Sequence, residues 1–240
     1  YTSIANILQK FSQNIDLIIV ASLISVESVT MLEITRRPLK IMQGFTNRPS
    51  SAIIPSLSNL WGEGNKVKSA SYIFRFLNIL IVLSFFIASA FLLFNKAFIG
   101  LWVGPENFIG NTINLILIIN FFIILTFSYS VSNFIFALGQ IKKYSMGNIA
   151  HSICFVILLY ILGKLFGLIG IVSAMGISLL ITTFWYFPYI LFKRVFFDKF
   201  KIKKIVLSII ISSVLFIIST VISFNIEITN SINIIIFSVV

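Results

Sequence analysis

The stretch Glu33-Ile-Thr-Arg-Arg-Pro-Leu-Lys-Ile-Met-Gln-Gly-Phe-Thr-Asn-Arg-Pro-Ser-Ser-Ala-Ile-Ile-Pro55 puts five ionisable side chains between two long apolar segments. At about 100° per residue, a helix sets Glu33, Arg36, Arg37, Lys40, Gly44, Asn47, Arg48, Ser51 and Pro55 within about 60° either side of one line. Ile34, Leu39, Ile41, Met42, Phe45, Ala52 and Ile53 take the other face. Five ionised groups at about 2.5 to 3.5 kcal/mol each would cost over 10 kcal/mol in lipid, while each apolar residue returns only about 0.3 to 0.6 kcal/mol. The stripe therefore faces other helices or a water-filled cavity. A cavity walled by four cations and one carboxylate is expected to attract an anion.

Composition agrees with a membrane setting. Of 240 residues, 58% are hydrophobic, 26 are Phe and only 10% are charged, well outside the soluble average, so the chain reads as a polytopic, all-α membrane protein. The one cysteine, Cys154, excludes an internal disulfide. No initiator Met or signal-peptide pattern opens the chain, and it stops within a new apolar run, so residues 1–240 read as one membrane domain cut from a longer protein.

Taken in order, the pattern predicts about eight transmembrane helices, the last truncated. The first, 1–25, has a polar half with Gln9, Gln13 and Asp16 at helical spacing. The second, 29–60, carries the stripe, with Pro38 and Pro49 as candidate hinges. A loop at 61–66 leads to a third span, 68–94, and the turn residues of 95–110 predict another loop. Spans follow at 111–138, with Asn120 and the cluster Ser128, Ser130, Ser132 and Asn133, and at 145–162, with Asn148, His151 and Ser152 on one side. A sixth, 168–192, opens with Gly167, Gly170, Ala174 and Gly176, small enough for close helix contact. The basic linker 193–204, a seventh span at 205–224 and an eighth beginning near Ile232 complete the chain.

Alternate loops differ in charge. Those after spans two, four and six hold Lys66 and Lys68, Lys142 and Lys143, and Lys193, Arg194, Lys199, Lys201, Lys203 and Lys204. The others hold only Lys96 and Lys164, with Glu27, Glu106 and Glu227. The even loops are expected on the cytoplasmic side, so much of the formal +11 charge is topology signal. With no basic, aromatic-bearing soluble module, nucleic-acid binding is not expected.

The runs Asp16-Leu-Ile-Ile-Val-Ala-Ser-Leu-Ile-Ser25, Val29-Thr-Met-Leu-Glu-Ile-Thr-Arg36, Pro55-Ser-Leu-Ser-Asn-Leu-Trp-Gly-Glu-Gly-Asn65 and Leu101-Trp-Val-Gly104 resemble the second half of a polysaccharide flippase. Such proteins, of the O-antigen (lipopolysaccharide) or capsule type, belong to the multidrug/oligosaccharidyl-lipid/polysaccharide exporter superfamily. The position before Glu33, often aromatic there, is Leu32 here. The resemblance implies the second lobe of a two-lobe fold in the cytoplasmic membrane. It further implies a lipid-linked oligosaccharide as cargo, carried on undecaprenyl pyrophosphate and flipped by alternating access, with a polysaccharide polymerase, glycosyltransferases and membrane lipids as partners.

Independently of that resemblance, Arg36, Arg37, Lys40 and Arg48 suit a pyrophosphate, because guanidinium forks pair bidentately with phosphate oxygens and lysine adds a point charge. Glu33 stands one turn before Arg37 and is expected to pair with it. Asp16 is read as lining the same cavity or as a proton- or cation-sensitive partner of the stripe, and His151 as a packed residue or a proton sensor. The serine cluster is read as helix glue or a sugar contact, and the linker at 193–204 as a positive-inside signal that touches anionic lipid. A drug or anionic-metabolite exporter of the same superfamily is the alternative function. A membrane enzyme of glycolipid synthesis is disfavoured because one His, one Cys and no acidic pair within a loop make no catalytic or metal-ligand constellation. No nucleotide-binding Gly-rich motif is present, so no cofactor and no ATP are expected to be used by this chain.

Overall fold

The computed structural model of the protein describes residues 15–195 and 199–225. The polar positions Asn6, Gln9, Lys10, Gln13 and Asn14, part of the basic linker and the eighth apolar run lie outside the described residues.

Every regular element among them is helical: α1 (Ile15–Leu23), α2 (Val26–Ala52), α3 (Ile54–Gly62), α4 (Lys66–Val103), α5 (Asn111–Ile118), α6 (Thr126–Ala137), α7 (Ile141–Ile181), α8 (Thr183–Arg194) and α9 (Lys199–Asn225). A 3-10 turn (Pro105–Asn107) precedes α5, and a π-helix (Ile119–Leu125) joins α5 to α6. Four stretches among these residues are long and apolar enough to cross a membrane: Lys66–Val103, Asn111–Ala137, Ile141–Arg194 and Ile202–Asn225. Eight spans were expected. The difference has identifiable sources: α2 is disqualified by its own charges, α1 has nine described residues, and Ile141–Arg194 holds two expected spans.

That last stretch folds back at Gly167, whose φ of 57° and ψ of −137° break the helix. His151 and Ser178 are 27 residues apart, which a straight helix would separate by about 40 Å, yet their side chains meet at 3.2 Å. The arms 141–166 and 168–181 are therefore antiparallel. Small residues allow the closeness, as a Cβ on Gly170 would collide with the Leu162 carbonyl and one on Gly176 with Asn120 Oδ1. Asn120 Nδ2 in turn donates to the Val172 carbonyl at 2.8 Å, tying the π-helix to the second arm.

Ser25 caps α2 by accepting from the Ser28 amide at 3.1 Å. The helix then runs unbroken through Pro38 and Pro49, the two expected hinges, and stops at Ile53. Pro55 has no N–H for the Ser51 carbonyl, and the last bond of the helix runs from the Ile53 amide to the Pro49 carbonyl at 3.2 Å. Helix α4 also departs from expectation, continuing nine residues past Phe94 through the predicted loop until Gly104 takes φ 99°. The reason is tertiary: Asn95, a turn-former by habit, is buried and donates to the Thr35 carbonyl at 3.2 Å and to Asn114 Oδ1 at 2.7 Å.

Two apolar clusters fill the bundle. One gathers Leu32, Leu39, Ile118, Phe122, Leu159 and Ile171, the other Leu57, Ile73, Phe134, Ile135 and Phe187. Outward, Ile79, Phe86, Ile157, Leu165, Phe166 and much of α9 are exposed, as on a surface facing lipid. Replacing Gly170 by Ala should force the hairpin arms apart and destabilise the protein by about 1 to 3 kcal/mol. Thermal unfolding of the detergent-solubilised protein reads this directly, and an unchanged midpoint would contradict the hairpin packing.

Candidate functional site

Between the helices lies a cavity of about 420 Å³, lined from α1, α2, α5, the π-helix, α6, α7 and α8. Its charged end is built on α2. Arg36, with 5% of its side chain exposed, pairs with both Asp16 of α1 and Glu33. Lys40, 38% exposed, reaches the same Glu33 carboxylate at 3.1 and 3.3 Å. Two cations thus meet two anions, and the group carries no net charge. Removing a guanidinium from water costs several kcal/mol (roughly), which only close, hydrogen-bonded carboxylates repay. The expected Glu33–Arg37 pair is not formed. Position i+3 turns inward to Asp16 while i+4 turns outward, so Glu33 follows Arg36, the one that must be neutralised.

The four predicted headgroup cations are consequently divided. Arg36 and Lys40 line the cavity, whereas Arg37 and Arg48 are exposed, and among the described residues neither takes part in an ion pair. Asp16 lines the cavity as Arg36's partner. Asn47 belongs to the inner line as well, and so does Gln43, which the sequence reading passed over. Arg36, Lys40, Gln43 and Asn47 recur at intervals of four, three and four, the signature of a single helical line.

Gln43 links this line to the π-helix. Widening the turn frees the Phe121 carbonyl from its usual partner, and Gln43 Nε2 donates to it at 3.1 Å while Thr126 Oγ1 donates at 2.8 Å. A ladder of hydroxyls continues the contact: Ser50 with Ser130 at 2.6 Å, Ser51 with Tyr129 at 2.9 Å, and Ser58 to the Ala137 carbonyl at 3.0 Å. Ser130 is helix glue, as anticipated for its cluster, whereas Ser128 and Ser132 line the cavity.

Asn148, His151 and Ser152 line it from α7. Ser178 Oγ lies 2.8 Å from the Met175 carbonyl and 3.2 Å from His151 Nδ1, bridging the two. The His151 ring is thereby fixed in place and stacked on Phe155 at 6.1 Å.

A helical bundle with several membrane-length apolar helices around an internal polar cavity is the architecture of a multi-pass membrane protein. The sequence profile of the MatE family matches residues 2–161, two thirds of the chain, and the protein belongs to that family. Its members are membrane transporters of the multidrug/oligosaccharidyl-lipid/polysaccharide exporter superfamily. No curated protein and no solved structure matches the chain.

Replacing Arg36 by Gln should leave the Asp16 carboxylate without its cation and Glu33 with Lys40 alone, and destabilise the protein by about 3 to 5 kcal/mol. Adding Asp16→Asn should recover part of that loss. A thermal-unfolding double-mutant cycle measures the coupling, and strictly additive effects would contradict the pairing.

Proposed function

We propose that the protein translocates an undecaprenyl-pyrophosphate-linked oligosaccharide across the cytoplasmic membrane by alternating access. In this reading Arg37 and Arg48 hold the pyrophosphate. The observation that carries it is their placement. They lie eleven residues apart, almost on one line of α2 and about 16 Å from each other along its axis, both exposed and outside the ion pairs. Facing lipid, each would cost about 2.5 to 3.5 kcal/mol, so this face fronts water or protein rather than acyl chains. Unneutralised guanidinium groups on such a face are where an anionic headgroup gains most. Arg36 and Lys40, with Asp16 and Glu33, then serve as the internal frame that holds α2 in register.

The same reading places the protein in the cytoplasmic membrane with its basic loops inside. Arg194 Nη2 lies 3.3 Å from Gln140 Oε1, and Trp61, Leu138, Val195 and Ile205 share one apolar cluster, so the segments bearing Lys66 and Lys68, Lys142 and Lys143, and Lys193 and Arg194 gather at one end of the bundle. That convergence supports a common cytoplasmic side.

A second reading, export of a drug or small anionic metabolite, is favoured by the cavity volume of about 420 Å³, within the range typical of small-molecule sites. The two are separated in cells by the leaflet distribution of the lipid-linked glycan. Arg37→Gln with Arg48→Gln in the full-length protein should trap it on the cytoplasmic side while membrane insertion is unchanged. Wild-type distribution in that variant would overturn the headgroup assignment and leave the small-molecule reading standing.

A further inference from the structure

Helix α9 lies along α4, and none of its described residues lines the cavity. Three contacts fix the register of the two helices. Ser208 Oγ donates to Asn78 Oδ1 at 2.7 Å, Phe216 meets Phe85 edge-on at 6.1 Å, and Ser223 Oγ donates to the Leu92 carbonyl at 2.9 Å. Residue numbers rise together along both, so the helices are parallel. Arg75 stands three residues before Asn78 and Lys204 four before Ser208, which puts them about 4.5 and 6 Å from the hydrogen-bonded pair, toward the same end. The two cations are thus at one depth.

They also share one flank. At about 100° per residue, Arg75 is turned about 60° ahead of Asn78, and Lys204 about 40° behind Ser208. On parallel helices that face each other, ahead on one and behind on the other is the same side. Lys68 falls on the line of Arg75, two turns nearer the start of α4. All three are exposed, and among the described residues none takes part in an ion pair. In the other direction both lines become apolar. Ile79, Val82 and Phe86 continue from Arg75, and Ile211, Leu215 and Ile218 from Lys204, every one of them exposed. Arg75 to Phe86 is about 16 Å along the helix, close to the roughly 15 Å hydrocarbon depth of one leaflet.

A groove of this kind suits a molecule with an anion at one end and apolar chains beneath it. The guanidinium fork donates to two phosphate oxygens and lysine adds a third bond and a point charge. A headgroup with its own ammonium brings a like charge to the two cations, so a phosphodiester that keeps its net negative charge fits better. The apolar lines form two walls, which matches the paired chains of a glycerophospholipid rather than one polyprenyl chain. We infer that the α4–α9 groove is a binding site for an anionic phospholipid, with its phosphate held by Arg75 and Lys204 and its acyl chains along the apolar lines. The lipid clamps α9 to α4, its main contact with the bundle, whatever cargo the protein carries.

The test is a titration of the purified, delipidated full-length protein in detergent, with bound lipids resolved by native mass spectrometry. The probes are phosphatidylglycerol, phosphatidylcholine and undecaprenyl pyrophosphate. Wild type should prefer phosphatidylglycerol to phosphatidylcholine about tenfold or more, from about fivefold for each cation. Arg75→Gln with Lys204→Gln should abolish that preference, whereas Arg75→Lys with Lys204→Arg, which keep both charges, should retain it. Lys142→Gln with Lys143→Gln removes as much charge from α7 and should leave the preference unchanged. An equal loss in that variant would reduce the effect to general surface charge and overturn the site, as would a wild type that binds both phospholipids alike. Loss of undecaprenyl pyrophosphate binding in the Arg75→Gln, Lys204→Gln variant, with phosphatidylglycerol unaffected, would give the groove to the polyprenyl lipid and overturn the phospholipid assignment.

Discussion

The burial of Arg36 constrains the rest of this structure. A guanidinium with 5% of its side chain exposed cannot be neutralised by proton loss, so it must be met by anions brought from elsewhere in the chain. Glu33 comes from the preceding turn of the same helix and Asp16 from α1, and the second of these fixes α1 against α2. Lys40 shares Glu33 and lines the cavity beside Arg36. Once the group is closed, α2 has a defined inner line, and the residues that follow on it, Gln43 and Asn47, are carried to the π-helix and to the cavity wall.

The polar stripe of α2 is consequently two lines with different duties. Along the inner one, Arg36 is matched by Asp16 and Glu33, Lys40 by Glu33 and Gln43 by the Phe121 carbonyl, and Asn47 lines the cavity beyond them. The outer one, with Arg37 and Arg48, is left bare. A transporter that must bind and release an anion gains from this division, because a cation already bound to a carboxylate attracts little and a free one attracts strongly. Widening of the fourth span into a π-helix serves the same region. It turns the Phe121 carbonyl toward Gln43 and sets Asn120 against Gly176, so the helices on both sides of the cavity are coupled through one irregular turn.

Much of this was legible in the sequence. The charge of α2 in an apolar chain announced an internal polar region, the glycines from Gly167 to Gly176 announced close packing, and Asn148, His151 and Ser152 were read on one side of their helix, where they line the cavity. What was not legible depended on partners distant in the chain. Helical spacing alone allows Glu33 to pair with either Arg36 or Arg37, and only Asp16, twenty residues away, decides. Asn95 reads as a turn until Thr35 and Asn114 are placed beside it. The π-helix has no local sequence signature, and Thr183 gained its place from the register of the hairpin, which a one-dimensional pattern does not give.

If the outer line of α2 faces a water-filled, anion-binding space rather than lipid, Arg37 and Arg48 are reachable from water. Labelling of Arg37→Cys and Arg48→Cys with a membrane-impermeant thiol reagent, each in a Cys154→Ala background of the full-length protein, tests it most directly. Rapid labelling at both positions and protection by undecaprenyl pyrophosphate are expected, with Arg36→Cys reacting far more slowly. Failure of both exposed positions to react, or labelling that undecaprenyl pyrophosphate does not slow, would contradict it.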